Sequence, residues 1–89
     1  MKVKELLQKE NKVIGTKRTL KFTREGKVEY VILANNCPKE IINQFKYYEK
    51  LGGPKVILSQ YNSKELGTLC GKPFKALVVG ILYENKVGK

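Results

Sequence analysis

The sequence predicts an α/β fold, a three-layer α/β/α sandwich in which a four-stranded sheet lies between helices on both faces. Three observations lead there. Short apolar stretches of strand length alternate with segments of helical spacing along the whole chain. Residues 30–34 form a continuous apolar run, as expected of a strand covered on both sides. The 89 residues suffice for one modest core and for no cleft between two lobes, so residues 1–89 are read as a single domain.

Each element has its own local reason. Residues 2–9 form an opening helix with Val3, Leu6 and Leu7 on one side. Val13-Ile14 is a short strand stopped by Gly15. Thr16 is placed to cap a second helix over residues 17–25, which Gly26 ends in a left-handed conformation. Residues 30–34 are the second strand, bounded by Asn35-Asn36. Pro38 suits the first position of a third helix, where its missing donor is no loss, and Ile41, Ile42, Phe45 and Tyr48 share that helix's inner face. Gly52-Gly53-Pro54 breaks it, and residues 55–58 are a third strand. Asn62 and Glu65 have capping-box spacing and open a short helix that Gly71 ends. Residues 75–82 are the last strand, followed by a polar tail.

Charge narrows the partners. Eighteen Lys and Arg stand against eight Asp and Glu, a net charge of +10. A polyanion is the economical partner, since each basic contact to phosphate releases condensed counterions; an anionic membrane surface is the other candidate. The longest apolar run, residues 76–82, falls far short of the roughly 20 residues a spanning helix needs. The first residues hold no apolar signal-peptide core, so a cytoplasmic, unprocessed chain is expected. Cys37 and Cys70 are expected as free thiols. With no histidine and two cysteines, neither a zinc site nor any other metal or cofactor is expected.

Three segments could carry recognition. Gly15-Thr16-Lys17-Arg18-Thr19-Leu20-Lys21 joins a glycine to a helix start, where unpaired N–H groups and the dipole favour an anion. Lys17, Lys21 and Arg24 form a stripe along one helical side, with Thr16 and Leu20 toward the core; the same spacing also suits an ordinary solvated basic face. Asn35-Asn36 could pair with a base edge, although a turn and helix cap is the commoner use of such residues. In Gly71-Lys72-Pro73-Phe74-Lys75 an aromatic flanked by lysines could stack on an unpaired base, or Phe74 could tuck into the core. Catalysis has little to build on: general acid–base groups are scarce without histidine, and no P-loop spacing occurs. The one reactive feature is Cys37 beside Pro38 at a helix start, where a lowered thiol pKa would permit a thiol-dependent enzyme, although a small, partly buried residue is the commoner use of such a cysteine.

Four phrases carry a resemblance: Val13-Ile14-Gly15-Thr16-Lys17-Arg18-Thr19-Leu20-Lys21, Val31-Ile32-Leu33-Ala34-Asn35-Asn36-Cys37-Pro38, Tyr47-Tyr48 and Glu65-Leu66-Gly67-Thr68-Leu69-Cys70-Gly71-Lys72. In this order and spacing they resemble the L-thirty-e family of archaeal and eukaryotic large-subunit ribosomal proteins, within the L-seven-Ae kink-turn-binding superfamily. The resemblance covers about residues 10–83. It implies the same sandwich and an RNA site on three loops, after the first strand, after the second and before the last. If those loops share one edge, the last strand must run antiparallel to the first two, which makes the sheet mixed. By position, Gly15, Thr16, Lys17, Arg18 and Lys21 fall in the first RNA-contacting segment, Asn35 and Asn36 in the second, and Lys72, Phe74, Lys75 and Ala76 in the third. Lys17-Arg18 with Asn35-Asn36 points to the L-thirty-e branch. Arg18 replaces a small polar residue or a glutamate, which suits phosphate and changes base readout. Pro73 replaces an aromatic and stiffens the loop, and Ala76 is smaller than the usual valine.

The expected function is that of a structural constituent of the large ribosomal subunit, binding kink-turn rRNA as a cytoplasmic protein that is monomeric when free. Lys17, Asn35 and Asn36 would contact bases, Arg18, Lys21, Lys72 and Lys75 phosphates, and Phe74 with Ala76 an extruded nucleotide. The alternative is a stand-alone kink-turn protein of another ribonucleoprotein.

Overall fold

The computed structural model describes residues 3–83. In chain order the elements are α1 (Val3–Leu7), β1 (Lys12–Ile14), α2 (Thr16–Arg24), β2 (Val28–Leu33), α3 (Lys39–Lys50), β3 (Lys55–Leu58), α4 (Ser63–Leu69) and β4 (Val78–Leu82). Lys2, expected in the first helix, and residues 84–89, expected as a polar tail, lie outside the described residues.

The four strands form one mixed sheet in the order β1-β4-β2-β3. β2 and β3 are parallel, and β4 runs antiparallel to both β1 and β2 between which it lies. Each face of the sheet carries its own core. Ile32, Val79 and Ile81 point to the side of α1 and α4, where they meet Leu6, Leu7 and Leu66. Val31, Leu33 and Val78 point the other way, to Phe45 of α3 and Leu20 of α2. The alternation along β2 and β4 is the period-two signature of a sheet covered on both sides.

That alternation is broken once, at a register shift between Val28 and Tyr30 opposite Leu82 and Ile81. The extra residue, Glu29, puts Val28 on the α2–α3 side while Tyr30 packs on the other. Without the bulge Val28 and Tyr30 would share a face. At the far edge, the Val56 amide of β3 donates to the Glu49 carboxylate (2.9 Å) rather than to another strand.

Most boundaries shift by one or two residues from the sequence expectation, α1 ending at Leu7 and β2 running from Val28 to Leu33, and three of the differences bear on the site. Gly15 and not Thr16 is the N-cap of α2, and no side chain caps that end. Pro38 is the N-cap of α3, one position before the expected first turn. β4 begins at Val78, so residues 75–77 belong to the preceding loop. The capping box at α4 is present as read: Asn62 Oδ1 accepts from the Glu65 amide (2.8 Å) and Glu65 Oε1 from the Asn62 amide (2.9 Å).

Candidate nucleic-acid interface

One edge of the sheet gathers the loops. Ile14 and Leu33, the last residues of β1 and β2, pair with Val79 and Val78 at the start of β4. One residue further on, the Gly15 amide donates to the Val78 carbonyl and the Ala34 amide to the Leu77 carbonyl, each at 2.9 Å. β3 runs parallel to β2, so the loop after it emerges at the same edge, where the Asn35 amide donates to the Tyr61 carbonyl (2.8 Å). The antiparallel β4 required by a shared edge is therefore what the sheet contains.

The first segment turns on Gly15, at φ 116° and ψ 146°. A Cβ there would meet nothing within 4 Å, so the backbone conformation, not space, calls for glycine. The Gly15 carbonyl accepts from the Thr19 amide (3.1 Å) and from Thr19 Oγ1 (2.7 Å), and Thr23 Oγ1 repeats the pattern on the Thr19 carbonyl (2.7 Å). Thus Thr19 and Thr23, not Thr16, are the buried polar residues of α2. Their hydroxyls are satisfied four residues back, which frees their methyls to pack as a β-branched apolar residue would. A Cβ on Gly80 of β4 would lie 2.7 Å from the Thr19 methyl, so α2 seats directly on the sheet there. The amides of Thr16, Lys17 and Arg18 open the helix without intrahelical partners, and its first turn holds no acidic residue. Lys17, Arg18 and Lys21 are exposed.

The second segment is held from a distance. Asn35 Nδ2 donates to the Gln60 carbonyl (3.0 Å). Asn36 Oδ1 accepts the Ser63 amide (3.0 Å), and its Nδ2 donates to Ser63 Oγ (3.3 Å). The turn-and-cap use of the pair is thus present in an unexpected form: Asn36 caps α4, not the helix that follows it. Both side chains remain exposed, and Asn35 Oδ1 has no protein donor among the described residues.

The third segment lies on α4. The Lys72 amide donates to the Gly67 carbonyl (2.9 Å), and a Cβ at Gly67 would fall 1.9 Å from the Phe74 carbonyl oxygen. Only glycine permits that approach. Phe74 is 56% exposed, so it is a surface aromatic and not a core residue. Lys72 and Lys75 are exposed as well. Ala76 is a correction: it is 1% exposed and packs in the core beside α4, so its side chain offers a nucleotide no surface. Its amide instead donates to the Ser63 carbonyl (2.9 Å), tying the third loop to the residue that Asn36 caps.

Arg18, Lys72 and Phe74 come together with Glu10, Lys12, Val13 and Ile14 around a cleft of about 260 Å³. Lys17, Lys21 and Lys75 stand outside its lining. Lys12, Gln60, Ser63 and Gly67 are structural or lining residues that sequence reading missed. The capping box, by fixing where α4 starts, was the available signal for Ser63.

Both thiols are free and buried. Burial pushes the Cys37 thiol up, the reverse of what a reactive cysteine needs. Burial also raises Cys70, with Lys12 and Lys72 working against the rise. They lie in the cores on opposite faces of the sheet, as free thiols too far apart to pair, and Cys37 takes the buried role expected over the reactive one. Among the described residues no three His, Cys, Asp or Glu side chains cluster as metal ligands, and no helix is long and apolar enough to cross a membrane.

Residues 1–88 match the model of the ribosomal protein L7Ae/L30e/S12e/Gadd45 family. The chain belongs to this family. Among its L7Ae/L30e relatives, large ribosomal subunit protein eL30 of Methanocaldococcus jannaschii is 42% identical over 73 residues, which cover 82% of this chain and 66% of that protein. The eL30 protein of Archaeoglobus fulgidus is 39% identical over 71 residues, covering 80% and 78%. A solved structure, that of the Giardia lamblia 15.5kD RNA binding protein, superposes with a TM-score of 0.73 at 27% identity, over 97% of this chain and 72% of its own. A Bacillus halodurans protein of unknown function has the same fold, with a TM-score of 0.71 at 23% identity, covering 88% and 81%. The resemblance to the L-thirty-e branch drawn from four short phrases is borne out by these relatives.

Proposed function

We propose that this protein is a structural constituent of the large ribosomal subunit and binds kink-turn rRNA through the gathered loops, without catalysis. The observation that carries the reading is the convergence at the start of β4. There a helix N-terminus with Lys17 and Arg18, the braced Asn35-Asn36 pair and the exposed Phe74 between Lys72 and Lys75 share one sheet edge. The similarity to large-subunit eL30 proteins and to an RNA-binding 15.5kD protein agrees with it.

The division of labour follows from chemistry. Arg18, Lys21, Lys72 and Lys75 neutralise phosphates and set the salt dependence. Lys17 and the open amide atoms of Asn35 and Asn36 reach base edges exposed where G·A pairs widen the groove. Phe74 stacks on a splayed-out nucleotide. Because Asn36 is already braced on Ser63, it meets a base with little rotamer freedom left to lose. The protein selects a bent RNA shape, acts as a monomer before assembly, and resides on cytoplasmic ribosomes.

The test compares three RNAs across a salt series: a kink-turn, the same RNA with its G·A pairs made Watson–Crick, and a plain duplex. Preference for the kink-turn by ~100-fold, about 2.7 kcal/mol, is expected at physiological salt. Equal binding to all three, released together as salt rises, would sink the reading. The likeness to the 15.5kD protein favours a second reading, a stand-alone kink-turn protein of another ribonucleoprotein. Co-sedimentation with large subunits separates the two.

A further inference from the structure

We infer that the groove between α2 and α3 is a second RNA contact, which seats one unpaired nucleotide of a strand leaving the loop edge. This rests on the function proposed above and extends its footprint. The groove is lined by Leu20 and Arg24 of α2 and by Glu40, Asn43, Gln44, Tyr47 and Tyr48 of α3. Tyr47 is 59% exposed, and its ring stands edge-on to Tyr48 at 5.5 Å between centroids and 74° between planes. A large aromatic held by a neighbouring ring in solvent is a stacking platform that loses little freedom when a base arrives.

Charge directs the strand to it. Lys17, Lys21 and Arg24 step along α2 from the loop edge to the groove, a distance of about 10 Å from first to last. All three are exposed, and among the described residues none is held in an ion pair. Arg24 is already oriented: its Nε donates to the Tyr48 hydroxyl (3.1 Å), which leaves both terminal nitrogens free for a phosphate. Glu40 on the groove wall repels phosphate, so the base enters and the backbone stays on the α2 side. Glu40, Asn43 and Gln44 supply acceptors there for a base amino group.

The experiment uses kink-turn RNA with and without a single-stranded extension of about six nucleotides, within the usual range of single-strand sites. The extension is expected to tighten binding about tenfold, in line with one stacked base. Tyr47→Ala should abolish that gain and leave the unextended RNA bound as before, while Tyr47→Phe keeps it. Tyr47 is exposed, so the change does not empty the core, and it alters no charge, so a merely electrostatic gain would survive it. No gain from the extension, or an undiminished gain in Tyr47→Ala, would overturn the inference. Failure of the unextended kink-turn to bind specifically would count against the earlier proposal instead. The single strand alone then decides: weaker binding by Tyr47→Ala supports the groove, and equal binding overturns it.

Discussion

Single residues set the geometry of this surface more than its charge does. Gly67→Ala puts two effects in competition. A helical alanine is favoured over glycine by roughly 1 kcal/mol, yet the new methyl would meet the Phe74 carbonyl oxygen at 1.9 Å. A clash with backbone cannot be relieved by a rotamer change, and such overpacking costs about 1–3 kcal/mol. Net destabilisation in urea melts is expected, together with loss of RNA affinity as the third loop shifts. Asn36→Ala removes a cap contact as well as a candidate base contact. Stability should fall by about 1 kcal/mol, and specific RNA affinity should fall by more than that loss explains. Lys17→Ala, which touches no other described residue by hydrogen bond, should cost specific affinity with an unchanged melt; normal kink-turn binding would show that the site is misassigned. Cys37 gives a pH prediction. Its folded pKa lies above the ordinary 9.0, so the unfolded chain loses the proton first as pH rises. The stability tied to this thiol is complete below about pH 9 and declines above it. The fall in stability between neutral and alkaline pH should be shallower in Cys37→Ala.

At the scale of elements, legibility followed how local each signal is. The α4 capping box sits within four residues and was readable, as were strand β3 and the glycine stops. Asn62→Ala should therefore cost about 1 kcal/mol in thermal or urea unfolding. The boundaries that shifted depend on distant partners. Residues 75–77 look like the beginning of a strand, but the Ala76 amide pairs with Ser63 on a helix and not with a neighbouring strand. For the same reason Ala76 was given a surface role that the fold denies it. The buried Thr19 and Thr23 look polar in a sequence; the carbonyls four residues back satisfy both, and for Thr19 the bare Gly80 opposite makes room. The basic stripe and the loop lysines were visible, whereas the bracing by Gln60 and Ser63 was not, because it joins segments some 25 residues apart.

For the whole molecule, the net charge of +10 makes salt the governing variable of affinity. Lys72→Ala should weaken all RNAs alike and lower the slope of log affinity against log salt by about one unit. A changed preference among RNAs with an unaltered slope would move Lys72 from the phosphates to the bases. The sheet's outer strand is guarded in a different way. Glu49 occupies the outward Val56 amide, so a second sheet finds that position already taken. Glu49→Ala should raise the tendency to aggregate, measured by light scattering at high concentration, while leaving RNA binding in place.

The central position of β4 also imposes a timetable. Within the described chain it is the last strand made, yet β1 has no other partner in the sheet, Gly15 and Leu33 are fastened to it, and Ala34 to Leu77 just before it. A nascent chain that has emerged only as far as the third loop holds every residue assigned to RNA and can pair β2 with β3, but it has nothing to set β1 and the first loop beside them. Synthesis must therefore reach residues 78–82 before the first loop can be aligned with the other two along one edge.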